Sequence, residues 1–155
     1  MLRRFLLTIA ATGMLFAADD PFSGTWKLNP AKCRFPAPDN GSAPKSIIIR
    51  YEAMEGGGRI TSEVTTPSGR VQYDRHTFKF DGKDYPRAEF TPNYTAGYSR
   101  IDNFTQESVH KKDGTVTARM RRVISSDGRT LTTVAKRFAA DGSAEETVLV
   151  FEKQP

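Results

Sequence analysis

The sequence predicts an all-β fold, an antiparallel up-and-down β-barrel of about 8–10 strands behind a cleaved signal peptide. Asp-Gly recurs at 81–82, 113–114, 127–128 and 141–142, each time between segments rich in Val, Ile, Thr, Tyr and Phe. Asp-Gly favours two-residue hairpin turns, because both central residues of such turns adopt positive φ. Helical periodicity is absent after the leader, so strands joined by tight turns account for the mature chain.

Residues 1–18 have the pattern of a signal peptide. Met1-Leu2-Arg3-Arg4 is positively charged, an apolar run follows, and Asp19-Asp20-Pro21 ends it. A charged start, an apolar centre and a small-residue exit are typical of secretory leaders. We expect cleavage after Ala18 or one residue earlier, export to the periplasm or secretion, and one domain over 19–155. An N-terminal helix of the folded domain is the alternative.

The strands are expected between successive turn signals, which include Gly56-Gly57-Gly58 and Pro67-Ser68-Gly69. They are 22–29, 46–54, 59–66, 70–80, 84–90, 95–102, 104–111, 115–125, 129–139 and 144–153. Strands of this length leave exposed edges unless the sheet closes, which favours a barrel. The four prolines of 30–45 exclude strand pairing and a long helix there, so we expect a crossing loop or a flap at one barrel mouth.

Charge and rare residues exclude several functions. Removal of the leader, which contains Arg3 and Arg4, lowers the net charge from +5 to +3. No basic run exceeds two residues, so nucleic acid is not an expected partner. Two His and one Cys argue against a Cys/His metal site, and no cofactor is expected. Cys33 has no intramolecular disulfide partner. A monomer is expected, with a Cys33-linked dimer as the alternative, and no later segment is apolar enough to span a membrane.

The opening of the mature chain carries a family resemblance. Phe22-Ser23-Gly24-Thr25-Trp26-Lys27-Leu28-Asn29 places Gly-x-Trp on the first strand, before many antiparallel strands. This resembles the calycin superfamily of lipocalins, fatty-acid-binding proteins and avidins. Together with Asp-Gly-Lys-Asp-Tyr-Pro at 81–86, it looks like a group of small exported bacterial lipocalin-like proteins without an assigned activity. The resemblance implies that Gly24 allows close backbone approach, and that Trp26 closes one barrel end against an Arg from a late strand.

The sequence also departs from these families. The helical lid of fatty-acid-binding proteins cannot form in the Pro-rich stretch, and their Arg-x-Tyr motif would fall on Leu149-Val150-Phe151. A fatty acid gripped in that way is therefore not expected. Some barrels of the superfamily bind haem through one His, which makes His76 and His110 candidates. A surface hydrogen-bonded pair of His76 and Asp74 is the simpler interpretation.

The two faces of the late strands are not distinguished by the sequence. A two-residue turn at Asp127-Gly128 sets Arg122 opposite Thr133, and the same logic at Asp141-Gly142 sets Ala135 opposite Val148. One face is richer in apolar residues and would put Arg122 inside the barrel. The position of the final-strand motif favours the other face, which would put Arg121 inside. The inward Arg must be satisfied by a carboxylate, carbonyls, the Trp26 ring or a ligand.

Two functions compete. The first is an exported carrier that binds a small apolar or amphipathic molecule in the barrel, with Tyr51, Tyr73, Tyr98 and either Arg121 or Arg122 as candidate ligand-binding residues. The second is a protein-interaction or inhibitor module whose barrel is filled with side chains. No Gly-x-Ser-x-Gly, His-Glu-x-x-His or phosphate loop occurs, so an enzyme is not expected.

Overall fold

The computed structural model describes residues 20–36, 43–87 and 92–155, and the predicted leader lies outside these ranges. The described residues form ten strands and one short 3-10 turn, Pro30–Lys32. The strands are β1 (Gly24–Leu28), β2 (Ser46–Met54), β3 (Gly57–Thr65), β4 (Val71–Lys79), β5 (Asp84–Pro86), β6 (Tyr94–Asp102), β7 (Thr105–Lys112), β8 (Thr115–Ile124), β9 (Thr130–Phe138) and β10 (Ala144–Lys153).

All ten strands belong to one antiparallel sheet with the order β4-β3-β2-β1-β10-β9-β8-β7-β6-β5. Every strand pairs with the next one along the chain except β4 with β5, and β1 also pairs with β10. The sheet ends at β4 and β5, which are in contact without forming a ladder. The result is a nearly closed up-and-down barrel, which confirms the predicted fold class.

The Asp-Gly pairs form different turns. Only Asp113-Gly114, among the described pairs, has positive φ at both residues, and Lys112 pairs with Thr115 around it as a two-residue turn requires. At Asp141-Gly142 only the glycine has positive φ, at 84°, and Ala139 N–H donates to Ser143 C=O across a three-residue loop.

The three-residue loop shifts the last hairpin by one residue. The predicted register holds between β8 and β9, where Arg122 faces Thr133, but Ala135 faces Thr147 rather than Val148. A one-residue shift exchanges the two faces of a strand. The interior is therefore lined by the Arg122 face of β8 and the Leu149 face of β10. The apolar pattern indicated the inward face of β8, and the final-strand motif indicated the inward face of β10.

One end of the barrel is closed by aromatic packing around Trp26. Trp26 is fully buried, and its indole N–H donates to the carbonyl of Phe22 at 2.8 Å. The ammonium of Lys153 lies 5.2 Å from the centre of the indole ring. The expected partner, a late-strand Arg, is therefore replaced by a lysine on β10. Gly24 makes this possible: a Cβ at this residue would lie 3.0 Å from Lys153 Cε, and its φ is +124°.

The Pro-rich connection between β1 and β2 is described only in part, since 37–42 lie outside the described residues. The expectation that no strand pairing occurs there is wrong at one residue. Arg34 forms an isolated bridge to Val148, with both N–H···O distances at 2.8 Å, because it lies between prolines and keeps its own amide N–H. The thiol of Cys33 donates to the carbonyl of Asn29 at 3.2 Å and accepts from the amide N–H of Val150 on β10 at 3.4 Å.

Candidate ligand-binding cavity

A cavity of about 180 Å³ lies inside the barrel beside the aromatic end. Its walls come from β1 to β4, β6 and β8 to β10, together with the segments before β1 and after β5. Most of its lining is apolar, and the polar exceptions are few. The lining includes Phe22, Trp26, Ile47, Ile49, Tyr51, Ile60, Val64, His76, Arg87, Tyr98, Met120, Arg122, Leu131, Thr133, Leu149 and Phe151.

Three of the five candidate residues face this cavity. Tyr51, Tyr98 and Arg122 line it. Tyr73 lies on the outer face of β4, where 61% of the residue is exposed, and Arg121 pairs with Glu107 at 2.7 Å on the outer face of β8. Alternation explains both outward placements, because their neighbours Asp74 and Arg122 point inward. The assignment of Tyr73 and Arg121 to a pocket inside the barrel is therefore corrected.

Arg122 is an inward-facing cation in the middle of the barrel. Its guanidinium donates to Ser108 Oγ at 3.0 Å and to the sulfur of Met120 at 3.5 Å, and it lies 5.8 Å from the centre of the Tyr98 ring. Within the described ranges it forms no ion pair. Burial lowers the pKa of Arg122, which remains a donor at neutral pH. A charged group that lacks a carboxylate partner inside a barrel is suited to bind an anion or a carbonyl.

Asp74 and His76 form the predicted pair, but the pair is buried rather than on the surface. Asp74 is 0% exposed, and its Oδ2 accepts from His76 Nδ1 at 3.1 Å. Since a carboxylate only accepts, the His76 proton sits on Nδ1, and Nε2 accepts from the hydroxyl of Tyr98 at 2.6 Å. Burial lowers the pKa of His76, so the ring is neutral and Tyr98 is held in one orientation.

The opposite charge for Asp74 comes from Arg87, which follows β5. Its Nε and Nη2 donate to Asp74 Oδ2, and its Nη1 donates to His110 Nδ1 at 3.2 Å. Burial on its own would raise the pKa of Asp74. The hydrogen bond from His76 and the charge of Arg87 outweigh it and hold that pKa below the ordinary value. Asp74 therefore stays ionised and anchors the two side chains.

The Ser108–His110 pair looks like a nucleophile with its base, but its hydrogen bonds point the other way. Arg87 can only donate, so His110 Nδ1 accepts and the ring proton is on Nε2. His110 Nε2 then donates to Ser108 Oγ at 2.9 Å, and Arg122 donates to the same oxygen. Burial, then the charges of Arg122 and Arg87, lower the pKa of His110 to about 2. A neutral His that donates to a serine does not activate that serine as a nucleophile.

Sequence reasoning did not find Arg87 and Ser108 as site residues, and it considered His110 only as a candidate haem ligand. The alternation of residues along β7 is the sequence feature that could have indicated Ser108 and His110. Gln106, Ser108 and His110 lie on one face of this strand, and all three are buried. Polar residues on the buried face of a strand indicate an internal network. Tyr51 faces the same interior, where its hydroxyl accepts from the Gln106 amide at 3.2 Å, and burial raises the pKa of Tyr51 to about 12.

The ten-stranded up-and-down barrel with its internal cavity defines a calycin-type, lipocalin-like fold. A solved zebrafish ileal bile acid-binding protein, complexed with cholic acid, covers 86% of this chain and 99% of its own at 12% identity and a TM-score of 0.51. A solved siderocalin, Ex-FABP, described as functioning through dual ligand specificities, covers 86% of this chain and 74% of its own at 14% identity and a TM-score of 0.41. No protein-family model and no curated protein sequence matches the chain.

Within 20–36, 43–87 and 92–155, no group of three or more His, Cys, Asp and Glu side chains is arranged to hold a metal ion. In the same part of the chain, no helix has the length and hydrophobicity needed to cross a membrane.

Proposed function

We propose that the protein is an exported carrier that binds a small apolar or amphipathic molecule inside its barrel. The observation that carries the proposal is the cavity of about 180 Å³ that places Arg122 among apolar walls. Apolar walls with a few converging polar groups are typical of ligand pockets. The cavity also favours a carrier over an interaction module, for which a barrel filled by side chains was expected. Export rests on the charged and apolar pattern of residues 1–18.

The ligand would place its apolar part against the closed end and an acceptor group near Arg122. The side chains of Leu131, Leu149 and Phe151 line the apolar part, and Tyr98 and Arg122 line the polar side. A hydrogen bond to a charged donor in a site that excludes water is stronger than a neutral one. A carbonyl or anionic oxygen therefore fits this position better than a cation.

Filling the cavity tests the proposal. N-phenylnaphthylamine, a neutral apolar dye that fluoresces when it is buried, is titrated into the mature protein and into Leu149→Trp. The indole would occupy cavity volume, so we expect affinity for the dye to fall at least about tenfold. Thr132→Trp places the same indole on the outer face of the neighbouring β9 and should bind like the wild type. Equal binding by wild type and Leu149→Trp, or no binding by the wild type, contradicts the proposal.

A further inference from the structure

A second chamber lies at the other end of the barrel from Trp26. Its volume is about 580 Å³, and it is formed near the start of β6 and β8 and the end of β7 and β9. Its lining residues are Arg87, Tyr94, Lys112, Thr117, Ala118, Met120, Arg137 and Phe138. We call it the mouth chamber. It shares Arg87 and Met120 with the inner cavity, so these two side chains stand between the two spaces.

The inner cavity alone is small for a typical ligand. Pockets for drug-sized molecules measure about 300–1,000 Å³, and the inner cavity of about 180 Å³ falls below this range, whereas the mouth chamber falls within it. A ligand with more than one ring or a short chain must therefore extend past Met120. Methionine is unbranched and adaptable, so its side chain can move aside more easily than a branched one.

Among the described residues, three cationic side chains line the mouth chamber. Arg87 is paired with Asp74, and Lys112 donates to the carbonyl of Pro92 at 2.6 Å and lies 3.6 Å from the Asp113 carboxylate at the rim. Arg137 has no carboxylate within ion-pair distance in the described part of the chain. Its charge is nevertheless close enough to the interior to depress the pKa of His110. The described lining of the chamber therefore combines an excess of positive charge with the aromatic walls of Tyr94 and Phe138.

We propose that the mouth chamber is an anion-binding subsite and that the ligand is an elongated amphipathic acid, with its anionic group between Lys112 and Arg137. The apolar part of the ligand passes Met120 into the inner cavity. This inference rests on the proposed carrier function and adds the class and direction of the ligand. A sulfonate, carboxylate or sulfate shares the required chemistry, since each presents several anionic oxygens to Lys and Arg donors.

Two dyes with one ring system test the subsite. Anilinonaphthalene sulfonate carries a sulfonate that N-phenylnaphthylamine lacks. In the double variant Lys112→Gln/Arg137→Gln, we expect affinity for the sulfonate dye to fall about five- to tenfold, while affinity for the neutral dye stays within about twofold. Raising the salt concentration should weaken sulfonate binding by the wild type more than by the variant, because the variant has lost the attraction that salt screens.

Arg50→Gln/Arg119→Gln is the matched control, because it removes two positive charges from exposed residues of β2 and β8 that do not line either chamber. We expect it to bind both dyes within about twofold of the wild type. Equal losses of sulfonate binding in the two double variants, or none in the mouth variant, overturn the subsite and leave the carrier proposal standing if the neutral dye binds. Failure of both dyes to bind the wild type overturns the carrier proposal as well.

Discussion

At the scale of single residues, the barrel interior is organised by donors and acceptors whose directions are fixed. Asp74 can only accept and Arg87 can only donate, so they determine which nitrogen of His76 and His110 carries the proton. His76 then accepts from Tyr98, and His110 donates to Ser108. The two histidines thus act as oriented neutral hydrogen-bonding groups, which preorganises the polar side of the cavity for the proposed ligand.

The buried histidines make stability depend on pH. The pKa of His110 is lowered to about 2 by burial and by the charges of Arg122 and Arg87, with smaller contributions from His76 and Arg137. The unfolded chain takes up this proton near pH 6.5, whereas the native protein does not. Stability is therefore lost as the pH falls below about 6.5, by about 2 kcal/mol between pH 7 and pH 5 for one such histidine.

Urea unfolding at pH 7 and pH 5 measures this loss. His110→Gln should have a smaller difference between the two pH values than the wild type, because the unfolded variant no longer takes up that proton. His76, whose pKa is also lowered by burial, contributes in the same direction and remains in the variant. Titration of His110 near pH 6.5 in the native protein, followed by NMR, would contradict the account.

At the scale of elements, sequence pattern predicts the strands better than it predicts the turns. All ten expected strands occur, because runs of Val, Ile, Thr and aromatic residues between turn signals mark them well. The final register is different, since Asp141-Gly142 closes a three-residue loop instead of a two-residue one. The residues of a turn do not determine its length, because Gly142 satisfies the positive-φ position in either form.

Strand alternation predicts which candidate site residues point inward only where neighbouring residues identify the buried face of the strand. On β8 the sequence left two candidates, Arg121 and Arg122, and the structure places Arg122 inside. Tyr51 and Tyr98 lie inside the barrel as expected. Tyr73 was not distinguished, because the inward residues Asp74 and His76 are polar and suggest a wet face. Asp74 and His76 are buried by contacts with Arg87, which follows β5, and with Tyr98 on β6. Such long-range contacts cannot be predicted from a local sequence pattern.

The turn between β2 and β3 requires glycine for space as well as for backbone geometry. A Cβ at Gly57 would lie 1.9 Å from the carbonyl oxygen of Phe78 and 2.7 Å from Lys79 Cα, both backbone atoms of the paired strand β4. Gly57→Ala should therefore destabilise the protein by more than about 2 kcal/mol in urea unfolding. At the adjacent Gly56, which has open space and a φ of +67°, Gly56→Asn should cost less than about 1 kcal/mol. Similar stabilities of the two variants would contradict this interpretation.

At the scale of the whole molecule, side chains complete the barrel where the backbone ladder stops. The sheet ends at β4 and β5, yet His76 on β4 reaches Tyr98 on β6, and Asp74 on β4 holds Arg87. The Phe78 ring also stacks on Tyr98 with centroids 3.7 Å apart. The side chains that join the ends of the sheet thus include three that line the cavity, His76, Arg87 and Tyr98. Closure of the barrel and shaping of the site depend on the same contacts.

Native mass spectrometry of the protein, purified from the cells that produce it or from their surroundings, tests ligand binding by the barrel most directly. The native mass is compared with the mass under denaturing conditions. We expect a non-covalent adduct that is retained in the native spectrum, is lost on denaturation, and is absent from Leu149→Trp purified in the same way. An adduct retained equally by Leu149→Trp would show binding outside the cavity. A bare native protein that also fails to take up the neutral dye would contradict the carrier function itself.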